Sequence, residues 1–240
     1  MARPPAQPNQ SLIDGLEVLK ALAVAREPVG SREMARHLGM EPTRINRLLK
    51  TLASLGMTRQ DADRKYVPGP AMHVLSVQAI YGSGLLARAA GVLNALCARF
   101  QCDVALGVLW QSQVCYLYFA SPGKDPADAL AVRGLYPAEK SGVGLPLLAQ
   151  LPEADVNRLY AGREVPGGID KLQSQLSKIR QEGFARLSPR DRNPGAPAGV
   201  GIAIGNPAFA GLALAGENVE REPIQTVVAA LRAAAVAIEA

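Results

Sequence analysis

The 240-residue chain is poor in the side chains that most active sites need. It has two histidines, His37 and His73, far apart in sequence, which argues against a zinc site or a histidine-dependent catalytic site. Its three cysteines, Cys97, Cys102 and Cys115, are odd in number and include no C-x-x-C, so no disulfide framework is expected and a reducing cytoplasm fits. Buried, inert thiols are the default reading, with Cys102 the most exposed candidate for a redox sensor. No apolar run reaches roughly 18 residues free of charge or proline, the order of length a membrane span needs, so no span is expected. Residues 1–10, MARPPAQPNQ, lack the apolar centre of a signal peptide and read as a short disordered arm, ending near residue 8. Ser141 lies in KSGVG rather than G-x-S-x-G. The glycines at 199, 201 and 205 are followed by Asn206-Pro207 where a dinucleotide-binding helix should begin, so they suggest a strand in close backbone contact. No catalytic residue, metal or cofactor is expected.

What the chain does have is enough apolar residue, 48%, for a packed core, and an uneven charge. Residues 1–70 hold 11 basic against 7 acidic side chains, whereas residues 71–240 hold 15 against 14. A small basic segment on a near-neutral large one suggests a polyanion-binding module attached to a second domain.

In the basic segment, a helix fits Ser11 to Ala25, with Leu12, Leu16, Leu19, Leu22 and Ala23 on one stripe. Ser31 is suited to cap a second helix that ends at Gly39, and Pro42 suits the first turn of a third, running to Leu55. Ala35, Gly39 and Ile45 stand at helix-turn-helix offsets: a small residue where the second helix crosses, a left-handed turn, and a shared core position. At 100° per residue the third helix turns Ile45, Leu48, Leu49, Leu52 and Leu55 inward. Thr43, Asn46, Arg47, Lys50 and Ser54 lie opposite, with Arg44 and Thr51 at the edge. This face carries no acidic residue and offers the groups that contact phosphates and base edges, with Arg47 and Arg44 the foremost candidates for phosphate or guanine contacts. Residues 57–67 read as a β-hairpin, on which Arg59, Arg64 and Lys65 act as a basic wing. A further helix over Ala71–Tyr81 leads to a Gly82-Ser83-Gly84 hinge.

Beyond the hinge, helices are expected over Leu85–Phe100, Leu145–Gln150, Glu153–Tyr160, Asp170–Glu182 and Glu222–Glu239. Strands are expected over Asp103–Trp110, Val114–Ala120, Leu130–Arg133, Phe184–Leu187, Val200–Gly205 and Phe209–Ala215. This predicts an α+β domain with one sheet face covered by helices. Trp110, Tyr116 and Tyr118 read as core or sheet-surface residues.

From Ser11 to the terminal helix the chain resembles the IclR family of bacterial transcription regulators. The motifs that carry the resemblance are SLIDGLEVLKALA, SREMARHLGMEPTRINRLLKTLASLGM and RKYVPGPAMHVL. Behind them come YPAEKSGVGLPLLA, KIRQEGFARLSPRDRNPG, VGIAIGN and GLALAGE, in the family's order. The resemblance implies a winged helix-turn-helix at 9–68, a linker helix at 69–84 and a GAF-like effector-binding domain at 85–240. It also implies dimers or tetramers acting on double-stranded operator DNA, and a small organic effector, often a carboxylic acid. In the family the pocket is lined by the turn matching Ser141, Gly142, Val143 and Gly144, whose N–H groups open a helix and can hold an anion. Its other contacts fall on Ser188, Ala198, Ala213 and Ala215.

This chain departs from the family there. Ala198 stands where Cys or Ser is common, and Ala213 and Ala215 where Ser is common; Glu139, Lys140 and Pro197 are also substitutions. Lost hydroxyls predict a roomier, more apolar pocket. Its ligand would have one anionic end, with Arg133 or Lys140 as counter-ion, and a sizeable apolar or aromatic body. The alternative is a DNA-binding domain fused to a ligand-free oligomerisation or redox-sensing domain.

Overall fold

The structure, a computed structural model, describes residues 6–125, 134–188 and 197–240. The expected strand Leu130–Arg133, and most of the expected arm, lie outside the described residues. The chain divides into two compact units between Ser83 and Gly84.

In the first unit, α1 (Gln10–Val24) is capped by Asn9, whose side-chain oxygen accepts the Leu12 N–H at 3.1 Å. Its buried face is Asp14, Gly15, Val18, Leu19 and Leu22. The expected stripe is thus rolled: Leu12 and Leu16 are 61% and 55% exposed, and Ala23 is exposed as well. The cause is Asp14, which α3 draws inward, and Gly15, which faces Leu48 of that helix. α2 (Ser31–Leu38) starts from an extended Gly30, so Ser31 is its first helical residue and makes no cap, contrary to expectation. Gly39 is left-handed (φ 63°), and the Met40 N–H reaches back to the Ala35 carbonyl, which closes the turn before α3 (Pro42–Ser54). Ile45 and Leu49 of α3 are fully buried against Val18, Leu22, Met34 and Ala35. Leu55 is 65% exposed, because α3 ends before it and the chain turns away at Gly56 (φ 70°).

The wing is an antiparallel pair, β1 (Thr58–Gln60) and β2 (Tyr66–Pro68). The Asp61 carboxylate accepts the N–H groups of Asp63 and Lys65 at 3.0 and 2.9 Å, which leaves Arg64 to take a left-handed conformation (φ 60°). The wing is tied to the helices by Tyr66, buried in the core and bridged to Val29, and by the Thr58 hydroxyl, which donates to the Leu49 carbonyl at 3.2 Å. Then α4 (Pro70–Ser83) runs through the residues expected as a hinge, and none of its side chains is buried.

The second unit opens at a left-handed Gly84 (φ 61°) with α5 (Leu85–Phe100). There follow β3 (Asp103–Trp110), β4 (Gln113–Ala120), the short β5 (Tyr136–Pro137), α6 (Gly144–Ala149), α7 (Glu153–Leu159), α8 (Ile169–Glu182) and β6 (Ala185–Leu187). The chain ends with β7 (Gly199–Ile204), β8 (Ala210–Ala215), α9 (Glu217–Arg221) and α10 (Ile224–Glu239). One six-stranded antiparallel sheet has the order β5-β4-β3-β8-β7-β6. Both of its faces are covered, not one. Val104, Leu106, Ile202, Leu212 and Leu214 pack on α5 and α10, while Ala105, Val114 and Ala213 pack on α6, α7 and α8. A bulge in β4 slips the register at Leu106/Gly107, leaving Leu117 unpaired. Tyr116 and Tyr118, two apart, therefore face opposite sides, and Tyr116 and Phe119 share one, their rings edge to face at 6.1 Å. Among the described residues no single helix is long and apolar enough to cross a membrane.

Candidate DNA-binding face and effector pocket

The outward side of α3 presents Thr43, Asn46, Arg47 and Lys50, all exposed. Helical spacing alone produces this: Thr43, Asn46, Arg47 and Lys50 follow the i, i+3, i+4, i+7 pattern, opposite the Ile45–Leu49 anchor. The hydroxyls of Thr51 and Ser54 face their own helix, donating to the carbonyls of Arg47 and Thr51 at 2.9 and 2.8 Å. Arg59, Arg64 and Lys65 are exposed on the wing. Arg44 differs from the other cations. Its guanidinium forms an ion pair with Asp14, a carboxylate only 3% exposed, whose other oxygen accepts from the Gln10 amide at 2.8 Å. Sequence reading missed Asp14 because it sits where the periodicity of α1 calls for an apolar residue.

In the second unit, Ser141 is fully buried. Its Oγ accepts the N–H groups of Val143 and Gly144, each at 3.1 Å, and lies 2.9 Å from the Tyr116 hydroxyl. The expected anion cradle is thus closed by the serine's own side chain, because an ST-type turn satisfies these donors locally. The turn lies against the sheet where side chains are missing. The Gly142 carbonyl presses on Gly201, so tightly that no Cβ could stand there, and the Val143 carbonyl would lie 2.8 Å from a Cβ on Gly211. Gly199 and Gly201 thus stand in a strand, and Gly201 makes the kind of close backbone contact that the glycine spacing suggested.

Between this turn and the sheet a cavity of about 30 Å³ remains. Ala105, Ala213 and Ala215 form its floor, Tyr116 and Phe119 one wall, and Asp103 lies at its edge. Sequence reading missed the paired placement of Tyr116 and Phe119, which the β4 bulge creates and no periodicity signals. Among the described residues the turn stands over the alanines, and a Cβ on Gly142 would be 3.2 Å from that of Ala213. Of the expected contacts, Gly142, Val143, Ala213 and Ala215 come together here. Ala198 and Ser188 are half-buried outside the lining, and the Ala198 carbonyl accepts the Gly216 N–H at 3.0 Å. Lys140 lines a different cavity of about 400 Å³, with Glu139, Glu164, Val165 and Pro166, and Arg133 lies outside the described residues. Glu139 accepts the hydroxyl of Tyr160 at 2.8 Å; burial and this carboxylate hold that phenol far above its ordinary range.

Cys97 and Cys102 are buried, as the default expectation had them, and Cys115 is half-buried; what is corrected is the placing of Cys102 as the most exposed. Cys102 is 2% exposed, and burial, aided by Cys97 and Asp103, pushes its thiol up to about 12. Burial raises Cys97 and Cys115 too. None has the lowered thiol of a redox sensor. Among the described residues no group of three or more His, Cys, Asp or Glu is placed to hold a metal ion.

A helix-turn-helix with a basic outward face, a β-wing and a sheet domain with helices on both faces define a DNA-binding transcription regulator with an effector-type domain. Comparison with known proteins makes this particular. Residues 11–62 match the IclR helix-turn-helix domain. Over 200 residues the chain is 27% identical to the HTH-type transcriptional regulator BhcR of Paracoccus denitrificans, covering 78% of this chain and 69% of that one. An IclR family transcriptional regulator from Brucella abortus superposes with a TM-score of 0.80 at 20% identity, over 100% of this chain and 95% of that chain. An IclR homologue from Microbacterium hydrocarbonoxydans, solved in complex with 4-hydroxybenzoate, superposes with a TM-score of 0.67 at 20% identity, over 95% and 97%. The chain thus carries an IclR-type helix-turn-helix domain over residues 11–62 and shares the fold of IclR-family regulators.

Proposed function

We propose that this regulator binds double-stranded operator DNA in the cytoplasm as a homodimer or homotetramer, and that a small organic effector held by the second unit modulates that binding. The observation that carries the DNA reading is the exposed face of α3. Asn46 and Arg47 present an amide and a guanidinium for base edges or phosphates, with Thr43 and Lys50 beside them, and Arg64 and Lys65 of the wing meet phosphates. Oligomerisation is supported by apolar side chains left in water: Leu12 and Leu16 on α1, and Val74, Leu75, Val77 and Tyr81 on α4, the last 83% exposed. A second copy covering them would place two recognition helices on one duplex, as half-sites require. The domains act as a winged helix-turn-helix over 9–68, a linker over 69–84 and an effector domain over 85–240.

The effector site is the alanine floor beneath the Ser141–Gly144 turn, and the 4-hydroxybenzoate held by a structural relative supports an acid with an aromatic body. Such a ligand does not fit about 30 Å³, so binding requires the turn to lift and exchange the Ser141 hydroxyl for the ligand's acid group on the N–H groups of Val143 and Gly144. The closed cavity equally favours a second reading, a ligand-free domain that serves assembly alone. Melting curves with glyoxylate, pyruvate, benzoate and 4-hydroxybenzoate separate the two. A bound acid raises the melting temperature and changes DNA affinity, whereas no shift with any acid supports the ligand-free domain. Tight binding of glyoxylate or pyruvate without benzoate contradicts the aromatic class.

A further inference from the structure

We infer that Asp14 is an internal counter-ion that withholds Arg44 from DNA. Arg44 is then a positioning residue that seats the recognition helix, and Arg47 and Lys50 are left as the cations α3 offers to the duplex. The inference rests on the DNA-binding reading and refines it.

By helical spacing Arg44 belongs beside Thr43 and one turn before Arg47, at the end of α3 that a groove would receive. Its side chain instead reaches across to α1 and pairs with a carboxylate that is 3% exposed, while the amide of Gln10 fills the other oxygen at 2.8 Å. A charge this buried is stable only with its partner, so Asp14 holds the guanidinium far more firmly than a surface carboxylate would. The link joins residues 30 positions apart and spans the two helices whose packing sets the angle of the recognition face. Because the pair is already neutral, DNA phosphates gain nothing from it unless they displace Asp14. Arg44 therefore contributes no counterion release.

The test is salt-dependent binding of the full chain to a mixed-sequence duplex, read by fluorescence anisotropy, with the melting temperature of each variant recorded. Arg47→Met is expected to reduce the log–log salt slope by about 0.9 per protomer, the value of one phosphate contact. Arg44→Met is expected to lower the melting temperature and leave the slope as in the wild type. Asp14→Asn frees the guanidinium and is expected to steepen the slope by about 0.9 per protomer. Should either single variant fail to fold, Asp14→Leu combined with Arg44→Met removes both charges, and it is expected to fold and keep the wild-type slope. The inference is overturned if Arg44→Met or the double variant flattens the slope as much as Arg47→Met does, or if a folded Asp14→Asn leaves it unchanged. A wild-type protein with no salt-dependent binding at all would overturn the DNA-binding reading itself, a result distinct from these.

Discussion

The recognition helix and the Ser141 turn present their polar groups in opposite ways. On α3 the side chains of Thr43, Asn46, Arg47 and Lys50 stand in water, held in place by two buried anchors, Ile45 and Leu49. In the turn the polar groups face one another: Ser141 is fully buried and takes the N–H groups of Val143 and Gly144. A surface of the first kind meets a large partner with little rearrangement, since nothing has to be broken first. A site of the second kind exchanges one set of hydrogen bonds for another, so its ligand must compete with the fold. The difference fits the proposed function, with DNA contact as permanent equipment and effector binding as a conformational event.

The contrast can be broken most forcefully at Gly201. An alanine there would drive its methyl into the Gly142 carbonyl, and Gly201→Ala is expected to destabilise the protein by about 3 kcal/mol, the upper range of overpacking. Denaturant unfolding measures it, against Asn46→Ala, which is expected to stay within about 0.5 kcal/mol of wild type as an exposed substitution. Next in size is Ser141→Ala, which removes the acceptor of the Val143 and Gly144 N–H groups and the Ser141 contact of the Tyr116 hydroxyl. A loss of about 1–3 kcal/mol is expected in the same experiment, whereas an unchanged midpoint would mean that the turn is not held by its serine. The last effect is confined to alkaline solution and is absent at neutral pH. With the Cys102 thiol raised from 9.0 to about 12, the unfolded chain loses this proton first. The stabilisation is complete below pH 9 and declines towards pH 12, at up to about 1.4 kcal/mol per pH unit. Cys102→Ala is expected to flatten that decline, which pH-dependent unfolding measures, and an equally steep loss in the variant would remove Cys102 as its source.

Much of the first unit was legible because its signals are local. A left-handed Gly39, a small Ala35 and the 3.6-residue spacing of Ile45 and Leu49 need no knowledge of distant residues. The roll of α1 was not legible, because Asp14 turns inward only for Arg44, 30 positions away. In the second unit the strands and helices were readable from runs of apolar residues, and their long buried runs also produce the second covered face, which was overlooked. The pocket was the least legible part. The β4 bulge moves Tyr116 and Phe119 to one face, and the fit of the turn onto Gly201 and Gly211 depends on strands some 60 residues further along. The identities of Ala213 and Ala215 suggested space, whereas their neighbours decide how much of it remains.

The most direct test of the central claim is selection of duplexes from a random pool by the full-length protein, followed by the affinity of the enriched site for wild type and Arg47→Ala. Enrichment of a site with two related halves is expected, with Arg47→Ala binding it more weakly by about 1–3 kcal/mol at an unchanged melting temperature. A pool that does not enrich, or an enriched site bound equally well by Arg47→Ala, would contradict it.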